Sequence, residues 1–162
     1  MVTNLALWAI LLMIGVSDAQ RHRIPNQLVI ALMLCVCVDV YMQADVEWWF
    51  HIKGFLLTFA ACFCLYLMRV MAGGDVKLLA VVAFWLGATE MWQAVPYMII
   101  AGGVTGLFYL ALYLASTSEP ISIQVKVYAV QKMTRGWRSK QPLVIPFAPS
   151  IVIGLAYYFY IH

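Results

Sequence analysis

The stretch WWFHIKGFLLTFAACFCLYLM, Trp48 to Met68, carries one formally charged residue, Lys53, in an otherwise apolar and aromatic run. Coiled as an α-helix at 1.5 Å per residue it is about 30 Å long, the thickness of a bilayer's hydrocarbon layer. Similar runs lie on both sides of it: Val2 to Val16 and Gln27 to Met42 before, and Val76 to Trp92, Ala94 to Ala115 and Leu143 to Ile161 after. The expected fold is all-α: a polytopic membrane protein of about six transmembrane helices, with the lipid bilayer as its principal partner.

Composition agrees with that reading. Of 162 residues, 65% are hydrophobic and 10% charged, and the mean hydropathy is +0.89. Six spans of roughly 20 residues use about 120 positions. The remainder cannot hold a dinucleotide-binding unit, a zinc ribbon or a nucleic-acid module, so a nucleic-acid partner is not expected. The net charge of +3 reports topology before it reports a ligand. Cys35, Cys37, Cys62 and Cys64 all fall inside apolar runs, where they read as small packing residues rather than as a disulfide framework or metal site. The scattered methionines and aromatics read as packing or lipid-facing residues, and no metal or cofactor is expected.

The first run has no basic residue ahead of it and is followed by Arg21 and Arg23, which favours a retained helix over a cleaved leader. Placing basic residues in alternate loops puts Arg21, Arg23, Arg69, Lys77, Lys126, Lys132, Arg135, Arg138 and Lys140 on one side and only Lys53 on the other. The positive-inside rule makes the first side cytoplasmic and leaves both termini outside. Asp45, Glu47 and Glu90 then lie on the outer side, with Trp48, Trp49 and Trp92 as an outer aromatic belt. The longest loop, Ser116 to Gln141, reads either as a short basic helix on the inner membrane surface or as a solvated loop whose charges fix topology. No internal repeat is apparent.

Chemistry is sought among ionisable residues kept close to hydrocarbon despite their cost there. On this topology Asp18, at the end of the first span, and Asp75, just before the fourth, share one leaflet boundary. Either alone could be a helix-terminal carboxylate near a favourable dipole. Together they suit acid–base hydrolysis: two close carboxylates share one proton, one acting as base toward water and the other as acid toward the scissile carbonyl and the leaving amine.

Two segments carry a more specific signal. Asp18-Ala19-Gln20-Arg21-His22-Arg23-Ile24-Pro25-Asn26 and Ala72-Gly73-Gly74-Asp75-Val76-Lys77 resemble the type IV prepilin peptidase family, membrane aspartyl proteases with an aspartate ahead of an Arg-Ile-Pro-Asn run and a Gly-x-Gly-Asp motif. A third likeness is Ile145-Pro146-Phe147-Ala148-Pro149-Ser150-Ile151, similar to the family's Pro-Phe-Gly-Pro run; taken alone, it reads equally as a proline-rich helix start. Ala72 and Ala148 stand where the family has glycines. If the first position needs a positive φ, Ala72 strains it; if it needs only a small side chain, Ala72 serves.

The resemblance implies a single transmembrane aspartyl peptidase domain over 1–162, with Asp18 and Asp75 catalytic and Gly73, Gly74, Lys77, Arg23, Pro25 and Asn26 supporting. It implies an endopeptidase of the cytoplasmic (inner) membrane, its active site facing the cytoplasm, that removes the short basic leader of prepilin-like proteins. The small size, and the lack of a segment with paired Cys-x-x-Cys elements, look most like the minimal peptidases of Flp-type, tight-adherence pilus systems, without methyltransferase activity. An archaeal-type preflagellin peptidase is the near alternative. A non-catalytic assembly partner and a small proton-coupled transport subunit are the distant ones.

For the supporting residues, Gly73 and Gly74 are expected to permit a tight turn and close approach of the substrate backbone. Lys77 either tunes Asp75 or orients substrate, or simply snorkels, and Arg23 reads equally as a topology signal. Pro25 and Asn26 are expected to start the second helix, with Asn26 as its cap. Asp39, about 18 Å along its helix, is too far to join the pair. His51 and Lys53 are expected to be structural, pairing with outer acidic residues. Before substrate binds, the two aspartates are expected to lie too far apart for direct proton sharing, with closure bringing them together.

Overall fold

The computed structural model describes residues 2–43, 46–116 and 146–162. The expected basic helix after Ser116, with Lys126, Lys132, Arg135, Arg138 and Lys140, lies outside the described residues, as do Asp45 and Ile145. The described residues form six helices and no strand: α1 Val2–Arg21, α2 Asn26–Tyr41, α3 Trp48–Leu67, α4 Gly73–Leu86, α5 Ala88–Ser116 and α6 Ala148–Ile161.

The chain divides into two compact units, Met1–Gly102 with Pro146–His162, and Gly103–Ile145. In the second unit the described part is the remainder of α5, which exposes Val104, Leu107, Phe108, Leu110 and Leu112. The first unit holds all that follows.

In the first unit the apolar stripes follow helical spacing. Leu7, Leu11 and Ile14 are buried on α1, and Asp18 continues the same stripe one turn later. Val29, Leu32, Val36 and Val40 form the stripe of α2, and Ile151, Leu155 and Tyr158 that of α6. The centre is α4, buried on every side from Asp75 to Leu86 except at Lys77. It packs against α3 and α2 and touches α6, while α1 packs against α2 and α6.

Glycines set two of these distances. A Cβ on Gly54 would sit 2.7 Å from the Ala83 carbonyl oxygen and 2.8 Å from the Ala88 nitrogen, so α3 meets the end of α4 at backbone contact. Gly154 does the same for α6 and α5: its Cβ would lie 2.7 Å from the Met98 nitrogen.

Helix ends correct some boundaries. The fourth and fifth helices part at Gly87, not between Trp92 and Ala94, because Gly87 has φ +82°, a conformation L side chains rarely adopt. The first helix runs on to Arg21, where His22 turns left-handed (φ 49°) and its N–H donates to the Asp18 carbonyl at 2.8 Å. After α3, Arg69 adopts φ 59° and the Val70 N–H reaches back to the Leu65 carbonyl at 2.9 Å, closing the helix in a Schellman-type turn.

The outward faces stay apolar. Leu12, Ile30, Leu34, Leu56, Leu57, Leu67, Ile99 and Ile100 are all more than half exposed, far beyond the patches that water-soluble surfaces tolerate. Trp48–Leu67 and Ala88–Leu112 are each long and apolar enough to cross a membrane. This is a membrane protein, and its exposed apolar faces suit lipid.

Candidate active site

Asp18 projects from the last turn of α1 on the buried stripe and is 7% exposed. One turn earlier, a Cβ on Gly15 would lie 3.5 Å from the Val152 side chain and 3.7 Å from the Pro149 Cα. The start of α6 therefore lies against the end of α1. There the Ala148 backbone N–H donates to Asp18 Oδ2 at 3.0 Å, across 130 residues of sequence.

Asp75 is the third residue of α4 and is 8% exposed. Burial pushes its carboxyl up from 3.8 to about 6, the negative charge of Asp18 pushes in the same direction, and a backbone hydrogen bond from Ala72 works against both. Asp75 thus feels the charge of Asp18, 57 positions away in sequence (75 less 18). Among the described residues no hydrogen bond joins the two carboxyl groups.

The segments carrying the aspartates are packed together. A Cβ on Gly74 would lie 3.2 Å from that of Ile24, so the loop after Asp18 rests on the first turn of α4. Lys77 Nζ donates to Asn26 Oδ1 at 3.0 Å, and Arg23 is exposed, its carbonyl accepting the Ser17 hydroxyl at 3.3 Å. Lys77 thus pairs with Asn26 rather than with Asp75.

Several expected roles change. Asn26 is not a cap: Pro25 is the N-cap residue, in extended backbone with no side-chain bond, and Asn26 is the first helical residue, its side chain turned to Lys77. Gly73 and Gly74 make no turn. They open α4 with no positive φ, and what approaches them is Tyr66, 3.4 Å from a Cβ on Gly73, and Ile24. Ala72 is unstrained, since its φ of −80° and ψ of 149° suit any residue. Of the outer pair, His51 is buried with Nδ1 2.8 Å from the Phe84 carbonyl oxygen, and Lys53 lies over the Trp49 ring. Neither pairs with an acidic residue among the described residues. Asp39 accepts the Trp85 indole N–H at 3.1 Å, away from the pair.

The Pro146 to Ser150 run, which the sequence offered as a third likeness, reaches the site through the Ala148 backbone amide, a contact that no side-chain pattern reveals. Cys62 is buried on the face of α3 that also buries His51 and Gly54.

Chemically, the site offers a carboxyl that keeps its proton to about pH 6 beside a second carboxyl group, in a desolvated setting with backbone donors. Among the described residues no group of three or more His, Cys, Asp or Glu is arranged to hold a metal ion.

Comparison with protein families matches the chain to the type IV leader peptidase family over residues 5–111, a range that contains both aspartates. Comparison with curated proteins and with solved structures gives no match.

Proposed function

This chain belongs to the type IV leader peptidase family, and from that premise we propose that it is an aspartic endopeptidase acting through Asp18 and Asp75. The observation that carries the reading is the convergence of two buried carboxylates, from α1 and α4, close enough for one to raise the proton affinity of the other. Hydrolysis needs that difference, because one group must take a proton while the other gives one.

Asp75 is the acid and Asp18 the base. Asp18 takes a proton from water as the water oxygen bonds to the scissile carbonyl carbon, and the Asp75 proton passes to the carbonyl oxygen. When the tetrahedral intermediate collapses, the C–N bond breaks and the proton on Asp18 goes to the leaving amine. A hydroxyl proton returns to Asp75 as the carbonyl re-forms, restoring both groups.

The substrate is a prepilin-like protein of the Flp, tight-adherence class, cut behind its short basic leader at the inner face of the cytoplasmic membrane. Six spans with both termini outside put Asp18 and Asp75 on the cytoplasmic side. Exposed Arg21, Arg23, Arg69 and Lys77 at the aspartate end, against Lys53 at the other, support that orientation. The relaxed backbone of Ala72 favours an active enzyme over a non-catalytic relative.

The test is co-expression with Flp-type prepilins, comparing leader cleavage by the parent, Asp18→Asn and Asp75→Asn at matched membrane levels. Cleavage by the parent and loss in both variants is expected. A parent that cuts alongside a fully active Asp variant refutes the pair, and a parent that cuts no prepilin shifts weight to a non-catalytic role.

A further inference from the structure

The run Pro146-Phe147-Ala148-Pro149 leaves few backbone donors where α6 begins. Neither proline has an N–H, and the Ser150 and Ile151 amides both turn back to the Phe147 carbonyl, at 3.1 and 3.2 Å. The Ala148 amide is fully buried and points out of the helix, onto Asp18 Oδ2 at 3.0 Å. It stands at the N-terminus of a 14-residue helix, where the aligned peptide dipoles favour negative charge.

No other hydrogen bond to the Asp18 carboxyl is found among the described residues. Among the described residues, one oxygen is therefore anchored and Oδ1 accepts no hydrogen bond. The anchoring amide belongs to a helix whose position is fixed by close packing, at Gly15 against Pro149 and Val152 and at Gly154 against Met98. A carboxylate on the last turn of α1 thus has its direction set from α6.

We infer that the Ala148 backbone amide is the positioning group of the catalytic base: it holds Oδ2 of Asp18 as the anion and presents Oδ1 to the attacking water. This rests on the peptidase reading above and assigns the third sequence segment a task in that reaction. Ala148 touches neither water nor substrate; it acts through Asp18. The methyl side chain plays no part, so the test must change the backbone.

The decisive variant replaces Ala148 by lactic acid, its α-hydroxy analogue, which turns the N–H into an ester oxygen and keeps the side chain. The protein is made by cell-free synthesis into bilayer nanodiscs and assayed on the prepilin that the parent cuts. The expected result is a kcat lower by about 10- to 100-fold, the scale of a hydrogen bond to a charged group, with KM within about threefold. The same ester exchange at Ile153, exposed on α6, keeps parental kcat. Parental kcat with the ester at position 148 overturns the inference, and so does a change confined to KM or protein yield, the mark of a packing defect.

A second measurement spares α6. In protein labelled with 15N-alanine, Asp18→Ala is expected to move the Ala148 amide proton upfield as its charged acceptor disappears, and an unmoved resonance overturns the inference. The two readings fail separately. If the parent cuts no prepilin, the peptidase reading falls and this inference with it; if the parent cuts and the ester variant cuts equally well, only this inference falls.

Discussion

At one end of the first unit Asp18 and Asp75 are buried together, Asp18 held by the Ala148 backbone amide, and the charge of Asp18 raises the proton affinity of Asp75. At the opposite end Asp39 and Glu90 are each bound by a side-chain donor, the Trp85 indole and the Tyr158 hydroxyl. Asp39 and Glu90 bind neutral donors that fasten helix to helix: Asp39 ties α2 to α4, and Glu90 ties α5 to α6. Bound in this way a carboxylate is a fastener. Asp18 and Asp75 have no side-chain donor among the described residues, and the charge of Asp18 beside Asp75 comes at a cost to stability.

The largest test of this contrast exchanges charge for amide at both ends. Asp18→Asn and Asp75→Asn are expected to lower leader cleavage by about 10²- to 10⁴-fold, the range of general acid–base contributions. Asp39→Asn is expected to leave it within about threefold while lowering thermal stability in detergent. Equal losses of cleavage at the two ends would dissolve the distinction.

The next effect is pH dependence. Asp75 binds its proton more tightly in the folded chain, at about 6, than at its ordinary 3.8. The stability this confers is fully present below about pH 3.8 and is lost as pH rises through about 6. The shift corresponds to on the order of 3 kcal/mol. Thermal melts of the parent and Asp75→Asn are expected to converge below about pH 3.8, to draw apart as pH rises toward about 6, and to keep that separation above it, with the variant relatively more stable. Cleavage by the parent is expected to decline as pH rises past about 6 and Asp75 loses its proton. A melt difference independent of pH would show that Asp75 is only another fastener.

Gly87→Ala probes the Asp39 and Glu90 end alone. It demands a positive φ from alanine and drives a methyl group into the Phe50 ring. A loss of about 1–3 kcal/mol in stability is expected, with the kcat of the surviving folded fraction unchanged. A fall in kcat per folded molecule would couple the two ends.

The smallest effect belongs to the exposed Lys77–Asn26 bond. Lys77→Ala and Asn26→Ala are expected to cost less than about 1 kcal/mol each and not to add in the double variant, since both remove one interaction. Additive losses would mean that Lys77 acts on something other than Asn26.

Much of this is legible in the sequence. The apolar runs report helices because hydrocarbon forbids unpaired backbone polar groups, and two short segments pick out Asp18 and Asp75. The roles of the supporting residues were not legible. Asn26 has the composition of a cap, yet its partner is Lys77, 51 positions away. Gly73 and Gly74 look like a turn, yet they are small because Tyr66 and Ile24 press on them. The break at Gly87 is not legible in the fourth run because a single glycine does not by its composition end a helix, whereas its φ of +82° does.

By itself the sequence determined the helical class, the membrane character and the two carboxylates, because each depends on composition or on residues close in the chain. Tertiary structure decided which end of α6 meets Asp18, that Asp18 and Asp75 are both buried, and which donors bind Asp39 and Glu90. Those outcomes depend on backbone amides and on helices brought into contact through glycines at 15, 54 and 154. A backbone donor is the same in every residue but proline, so only packing can choose the one that a carboxylate receives.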